Sequence, residues 1–331
     1  MNNLILQYKF DTSINIDLIP EFNEEFINYE IVDETHDTIT NRIIYSSYLP
    51  SKISFEEQKS LVELNYINTS NLTSTYNLFY NCTNLTYVDL RNSDFSNIET
   101  IERMFTYCSN LLKIDGLNDI NISKVHNMGG LFSDCVKIEE LEVSNWDVSK
   151  VTNFGAVFRR CNALSHVDVS KWDTSNGVIM SGMFTNCSNI TEIDVSNWVV
   201  GNAETISQLF YGCTKLSKIT LFKYVDINVD TTYLFGKCNS LKNIISINSD
   251  YNTINILINE IPTKSATNIG VFDIEGVDNL SLVNIELIKS KFWNIYDYAI
   301  SIPTPKINGK ACSLKCKGNN IAVITYHKRS L

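Results

Sequence analysis

The chain has 331 residues, of which 44% are hydrophobic and 19% are charged, and its formal net charge is -10. This composition favours a folded protein with a sizeable core over a disordered chain. The negative charge argues against a nucleic-acid-binding protein, which needs a basic surface. The sequence contains no run of about 18 apolar residues, so we expect no membrane insertion.

The first residues, MNNLILQYKFDTS, offer only Leu4, Ile5 and Leu6 as a continuous apolar core. A secretory signal peptide needs an apolar region of about 7–15 residues. We therefore expect synthesis in the cytoplasm without a signal peptide. Release from the cell would then follow another route, such as lysis.

Residues 1–48 differ in composition from the rest and predict a small N-terminal β unit. FINYEIVD from Phe26 and TNRIIYSSYLP from Thr40 are typical of strands, with the turn-like ETHD between them and Pro50 closing the unit. A solenoid must cover the apolar end of its first coil. Capping and attachment to a partner both remain open roles for this unit.

Residues 49–250 contain a repeat of about 26 residues. Its clearest markers are seven cysteines, whose successive spacings are 26, 27, 26, 26, 26 and 25 residues: Cys82, Cys108, Cys135, Cys161, Cys187, Cys213 and Cys238. Such a period indicates a stacked-repeat solenoid. Aliphatic residues after each cysteine predict one short strand per coil, and these strands together predict a parallel sheet.

The return path of each coil also repeats. A serine stands nine residues before a phenylalanine in most coils, and we interpret it as the cap of a short helix whose phenylalanine is buried. Trp146, Trp172, Trp198 and Tyr224 recur as a second set of large rings. The predicted fold class is therefore α/β, a leucine-rich-repeat solenoid with a parallel sheet along one face.

The cysteine spacing favours reduced, buried thiols over disulfides or a zinc site. No pair among the seven has the Cys-x-x-Cys spacing of a zinc site, and seven is an odd number. We expect a serine at any of these positions to bury a hydroxyl without a partner, at a cost of about 1–3 kcal/mol. Cys312 and Cys316 lie outside the repeat, too far apart on one strand to bond.

Beyond residue 250 the cysteine period stops, but the alternation of coil halves continues. TINILINEIP and LVNIELIKSKFW predict helices, whereas IGVFDIEGV and NIYDYAIS predict strands. We assign residues 251–298 to degenerate C-terminal repeats. Residues 299–331 contain ACSLKCKGNNIAVITYH, which predicts a C-terminal β hairpin about its Gly-Asn-Asn turn.

Residues 155–198 carry a running pattern of Met-Phe, Cys, Leu, Ile-Asp and Ser-x-Trp-Asp, and residues 67–250 follow it with drift. This pattern resembles the BspA-like bacterial surface type of leucine-rich repeat. The opening LILQYKF…LIPEFN resembles leucine-rich-repeat proteins encoded in tail modules of phages of Gram-positive bacteria. The two resemblances imply a recognition surface outside a cell, carried by a virion.

Catalytic machinery is not evident in the sequence. The four histidines lie in separate segments, and no phosphate loop or metalloprotease motif occurs. We predict a chain that is not an enzyme and that needs no cofactor or metal. One row of carboxylates, with strands about 5 Å apart, leaves three readings open: hydrogen-bonded structural groups, a Ca²⁺ site, or a glycosidase pair. The row comprises Asp89, Asp115, Glu142, Asp168 and Asp194.

The predicted ligand-binding face consists of this row and the outward residues around it. Its members are Tyr87, Asp89, Arg91, Asp115, Glu140, Glu142, His166, Asp168, Glu192, Asp194, Lys218 and Phe222. These residues vary from coil to coil, while the inward positions stay aliphatic. Both a binding surface and neutral drift of an exposed surface produce this pattern.

We predict a non-enzymatic adhesin of a phage tail or baseplate. It would contact tail proteins through residues 1–48 and a bacterial surface glycan or protein through its repeats. The alternatives are a structural accessory protein of such a particle and a carbohydrate-active enzyme.

Overall fold

The computed structural model describes residues 3–15, 18–22, 29–46, 49–222, 224–246, 249–264, 270–274, 283–291 and 293–296, and the short segments 306–307, 310–311, 313–316 and 322–325. These residues are mostly β structure, and residues 49–246 wind into a solenoid with one short strand per coil. The sequence prediction of a repeat solenoid with parallel strands is confirmed at this level.

The described residues of the N-terminal part form six strands. They are β1 (Asn3–Asp11), β2 (Glu21–Phe22), β3 (Glu30–His36), β4 (Ile39–Ser46), β5 (Ile53–Ser54) and β6 (Leu61–Ile67). Of these, β1, β3, β4 and β6 share one sheet with the first coils of the solenoid, whereas β2 and β5 form a separate pair. Strand β1 pairs antiparallel with both β4 and β6. The hairpin β3–β4 turns at Asp37 and Thr38, and residues 26–28 of the predicted first strand lie outside the described residues.

The strands of the solenoid are parallel wherever successive strands pair. They are β7 (Tyr87–Asp89), β8 (Lys113–Asp115), β9 (Glu140–Leu141), β10 (His166–Val167), β11 (Glu192–Asp194), β12 (Lys218–Thr220), β13 (Asn243–Ile245), β14 (Gly270–Asp273) and β15 (Trp293–Tyr296). The first sheet has the order β3-β4-β1-β6-β7-β8. Strands β9 and β10 form a separate pair, and β11 to β15 form a third sheet. The strand face is therefore interrupted after β8 and after β10.

The return segments are turns, so the prediction of a short helix before each cysteine is wrong. Around Phe158, the backbone N–H groups alternate between two kinds of acceptor. Phe158 N–H donates to Met183 C=O of the next coil at 2.9 Å, whereas Cys161 N–H donates to Phe158 C=O at 3.1 Å. Ala156 and Arg160 adopt positive φ of 56° and 59°. An α-helix would bond each N–H to the residue four positions earlier, which this alternation prevents. The class is therefore mostly β rather than α/β.

The phenylalanines of successive coils stack into one column through the core. Phe55 begins the column, which continues through Phe79, Phe105, Phe132, Phe158, Phe184, Phe210 and Phe235 with ring centroids 5.1 to 6.0 Å apart. The buried rings of Trp146, Trp172 and Trp198 stack beside it at 6.1 and 6.4 Å. Each indole N–H donates to a carbonyl of the preceding coil at 2.8 to 3.0 Å.

Tyr224 was expected to continue the tryptophan column, and this expectation is wrong. Its side chain is 50% exposed, whereas Phe222 is fully buried. In the coil after Cys213 the buried ring therefore lies two residues earlier than Trp198 does in the preceding coil.

The cysteines form a column of their own. All seven thiols of the repeat are unbridged and buried. Each Sγ donates to the carbonyl of the phenylalanine in the preceding coil, at 2.9 to 3.1 Å. A serine hydroxyl at these positions would face the same carbonyl, so the expectation of a hydroxyl without a partner is wrong.

Past residue 250 the chain alternates helices with strands. Helix α1 (Tyr251–Glu260) precedes β14, and α2 (Ile285–Ser290) precedes β15. The later strands β16 (Lys306–Ile307) and β17 (Lys310–Ala311) pair antiparallel, as do β18 (Ser313–Cys316) and β19 (Ala322–Thr325). The predicted Gly-Asn-Asn turn and Cys312 lie outside the described residues. In the part of the chain that the structure describes, no helix is both long and apolar enough to cross a membrane.

Candidate functional site

The predicted ligand-binding residues lie along the strand face of the solenoid, with one exception. Eleven of them are exposed or half-buried: Tyr87, Asp89, Arg91, Asp115, Glu140, Glu142, His166, Asp168, Glu192, Asp194 and Lys218. Phe222 is the exception, because its ring is buried in the core. The assignment of Phe222 to the outward face is therefore wrong. A phenyl ring is buried at lower cost than a phenol, so Phe222 fills the core of this coil while Tyr224 stays half exposed.

The first two coils of this face carry a compact charged network. Asp89 stands opposite Asp115 in the register of β7 and β8. Arg91 donates to both carboxylate oxygens of Asp89, and Lys113 lies 2.7 Å from Asp115. These cations relieve the repulsion between the two facing carboxylates.

The same network shifts the titration of its members. The hydrogen bonds from Arg91 lower the pKa of Asp89, and those from Lys113 and Tyr87 lower the pKa of Asp115. Desolvation, with the hydrogen bond to Asp115 second, raises the pKa of Tyr87 to about 12. Both carboxylates are therefore ionised and already hydrogen-bonded at neutral pH.

Further along the face, most carboxylates also have partners. Asp168 accepts hydrogen bonds from the backbone N–H and hydroxyl of Ser170 at 3.0 and 2.7 Å, and the hydroxyl bond is the main cause of its lowered pKa. Asp194 accepts from Ser196 N–H at 2.9 Å. Glu192 stands opposite Lys218 and pairs with it at 3.1 Å. The structural reading of the carboxylate row therefore holds for four of its members.

The face opens into two shallow grooves, one at each interruption of the strands. The first, of about 560 Å³, lies between β8 and β9 and is lined by residues 112–119 and 139–142. The second, of about 460 Å³, lies between β10 and β11 and is lined by residues 165–170, 191–194, Lys218 and Thr220. The predicted site residues from Asp115 to Lys218 divide between these two grooves.

The first groove lies in a coil that is one residue longer than most of its neighbours. The spacing from Cys108 to Cys135 is 27 residues, one more than the usual 26. The added length appears as Gly116 and a short 3₁₀ helix, Leu117–Asp119. A glycine at the end of a strand, in the one longer repeat of the central coils, was the signal that could have located this groove.

Burial determines the protonation state of the seven repeat thiols. Burial raises the pKa of Cys82 to about 12 and raises the pKa of the other six repeat thiols as well. A protonated, buried thiol is a poor nucleophile and a poor metal ligand. Across the described ranges, no group of three or more His, Cys, Asp or Glu side chains is arranged to hold a metal ion.

Comparison with known proteins adds a family match. The family model described as "Mycoplasma protein of unknown function, DUF285" matches residues 51–140 and 131–248, which together make up more than half of the chain. No curated protein matches the chain. The match falls on the repeat, and together with the solenoid it agrees in outline with the resemblance to BspA-like repeat surface proteins.

Proposed function

Because this chain belongs to the DUF285 family, whose function is unknown, we propose from its geometry that it is a non-enzymatic binding protein whose strand face recognises a macromolecule. One observation carries the proposal. The inward position is aliphatic in every strand from β7 to β13, as in Val88, Ile193 and Ile219, while the outward neighbours change from coil to coil. A constant core then supports an open face of variable chemistry, as solenoid binding surfaces require.

The state of the reactive groups supports a binding role over a catalytic one. The repeat thiols are buried, and Asp89, Asp115 and Asp168 are held by hydrogen bonds that lower their pKa values. A glycosidase needs one carboxyl group whose pKa is raised, so that it carries a proton to the leaving group. None of these three carboxylates meets that requirement.

We further propose that the protein belongs to a phage tail or baseplate and that its strand face contacts the bacterial host. The support for this step is the resemblance of the N-terminal residues to phage tail-module proteins. The exposed edge strand β3 is available for a neighbour in such a particle, because six of its seven residues are exposed. Main-chain pairing along an edge strand is a common mode of attachment.

Cell binding by the whole chain tests the proposal. Fluorescently labelled protein is incubated with a panel of Gram-positive cells, beside a strand-face variant, Arg91→Ala/His166→Ala/Glu192→Ala. The control variant, Lys150→Ala/Glu204→Ala, changes two exposed residues outside the strands. We expect the strand-face variant to lose most of its cell-associated fluorescence and the control to keep it. Equal binding by both variants would overturn the assignment of the face.

The same preparation separates the other functions. A protein that is retained in particles but binds no cell of the panel would be a structural accessory protein. Release of sugar from purified cell walls by the wild type, lost on Asp168→Asn, would instead establish an enzyme.

A further inference from the structure

The first groove of the strand face opens where a backbone hydrogen bond of the coil ladder is missing. Leu112 N–H donates to Thr86 C=O at 2.9 Å, and Ser165 N–H donates to Glu139 C=O at 3.0 Å. The equivalent hydrogen bond between the two intervening coils would run from Glu139 N–H to Leu112 C=O. The described residues do not form this bond. The edges of β8 and β9 therefore face each other across the groove without pairing.

The groove is built into the fold by the longer coil. Gly116 turns the chain with φ of 75°, and a Cβ there would lie 2.6 Å from the backbone nitrogen of Arg91. The following 3₁₀ helix is held by the next coil, because Trp146 Nε1 donates to Leu117 C=O at 2.8 Å and Asn145 N–H donates to Asn118 Oδ1 at 3.0 Å. The gap between the strands is therefore preformed rather than opened by a ligand.

The charges in this groove are predominantly negative, with five carboxylates and one lysine. Its one basic residue, Lys113, is paired with Asp115. The other four carboxylates of the lining form no ion pair and accept no side-chain hydrogen bond from the described residues: Asp119, Glu139, Glu140 and Glu142. The second groove differs, because Lys218 pairs with Glu192 there and Ser170 donates to Asp168.

An apolar contact accompanies these charges. Leu112 lines the same groove as Glu139, and its side chain is 56% exposed. The groove thus combines unpaired strand edges, an exposed aliphatic side chain and four free carboxylates.

We propose that this groove binds an extended basic polypeptide segment in which an apolar residue lies between lysines or arginines. The inference rests on the proposed function and names the partner of one part of the strand face. An extended peptide lies along the open side of the groove, because the two coils are one step apart, with the Phe105 and Phe132 ring centroids separated by 5.5 Å. Its cations meet the free carboxylates, and its apolar residue covers Leu112. A neutral glycan would leave the carboxylates without cations.

The test uses the full chain and a synthetic probe. Binding of a fluorescent peptide, acetyl-Lys-Leu-Lys-Val-Lys-Leu-Lys, is followed by anisotropy at several salt concentrations. An acidic peptide with glutamate in place of each lysine serves as the second probe. The groove variant is Glu139→Gln/Glu140→Gln/Glu142→Gln, and the matched control, Glu57→Gln/Glu99→Gln/Glu204→Gln, removes three charges from exposed residues outside the strands.

We expect the wild type to bind the basic peptide, to bind it more weakly as salt rises, and to ignore the acidic peptide. The groove variant should lose about tenfold in affinity, as expected for three exposed ion pairs, whereas the control should stay within about twofold. Equal affinity of the groove variant and the wild type, or equal binding of both peptides, would overturn the proposal.

A cell-wall glycan fragment is tested as a third probe. Binding of this fragment in the groove without binding of the basic peptide would also overturn the proposal, in favour of a carbohydrate partner. The proposed function fails separately, since it depends on cell binding by the strand face. If cells bind the wild-type protein but the wild-type protein does not bind the basic peptide, only the assignment of a peptide partner is removed.

Discussion

Each buried thiol of the repeat connects two coils through a single side chain. Cys161 Sγ donates to Phe132 C=O at 3.1 Å, and the same carbonyl accepts Cys135 N–H from its own coil at 3.1 Å. The carbonyl oxygen therefore uses both of its lone pairs. A cysteine suits this position because it is small and apolar enough for the core and still carries a donor.

Substitutions at Cys161 should separate these contributions. We expect Cys161→Ser to lower the free energy of unfolding by about 1 kcal/mol, because the hydroxyl keeps Phe132 C=O as its acceptor. Cys161→Ala should cost about 2 kcal/mol, since it removes the donor and leaves a small cavity. Urea unfolding of the two variants checks this order. A serine variant less stable than the alanine variant would contradict the hydrogen bond.

At the scale of elements, the turn after each strand depends on an aspartate or asparagine. Asp94, Asp147 and Asn121 each accept a hydrogen bond from the backbone N–H of the serine two positions on, at 2.9 to 3.1 Å. This is an Asx turn, and it replaces the serine cap predicted from the sequence. Any residue could supply this N–H, whereas the serine hydroxyl adds a second donor to the acceptor two positions earlier, as Ser149 Oγ does to Asp147 at 2.6 Å.

These turns should make stability sensitive to acid. Hydrogen bonds from the serine two positions on, chiefly from its hydroxyl, lower the pKa of Asp94, Asp147 and Asp168. An unfolded aspartate has a pKa of about 3.9, so the folded state holds fewer protons below that pH. The stabilisation is therefore complete above about pH 4 and is lost as the pH falls further.

Thermal unfolding between pH 6 and pH 2 measures this effect. The variant Asp94→Asn/Asp147→Asn/Asp168→Asn keeps an acceptor oxygen at each turn and removes the titration, as Asn121 does naturally. We expect its Tm to fall less steeply with acid than that of the wild type. The control, Glu99→Gln/Glu204→Gln, should follow the wild type, and a triple variant with the wild-type slope would refute the assignment.

The position of strand β1 is determined by strands that are distant from it in the sequence. Its residues Ile5, Leu6, Tyr8 and Phe10 are fully buried, and it joins the hairpin β3–β4 to β6 of the first coil. Tyr8 also packs edge-on against Phe55 at 5.0 Å, at the start of the phenylalanine column. The sheet is therefore continuous across the predicted boundary at residue 48.

At the scale of the whole molecule, each coil is stabilised mainly by contacts with the coils directly before and after it. Phe132 stacks on Phe158 with centroids 6.0 Å apart, and each further coil repeats the contact. The backbone hydrogen bonds of the return segments likewise join nearest neighbours. Such a molecule behaves as a one-dimensional stack whose energy is a sum of coil and interface contributions.

Double-mutant cycles test this picture. We expect Phe132→Leu and Phe158→Leu, in adjacent coils, to interact by about 0.5 kcal/mol or more, because each ring packs on the other. Phe79→Leu and Phe210→Leu are several coils apart, so their effects should add within about 0.5 kcal/mol. Urea unfolding of the single and double variants gives both coupling energies. Strong coupling of the distant pair would show that the stack does not divide into local units.

The sequence alone determined the solenoid, its parallel strands and the burial of Cys161 and Phe158, because the period and the apolar offsets act within one coil. It did not determine the turns of the return segments, whose acceptors lie about one repeat away in the next coil, nor the central place of β1. The exchange of Phe222 for Tyr224 and the groove beside Gly116 were likewise decided by packing between coils. The repeat determines which side chains each coil buries. Contacts between coils determine where neighbouring strands form backbone hydrogen bonds and where they do not.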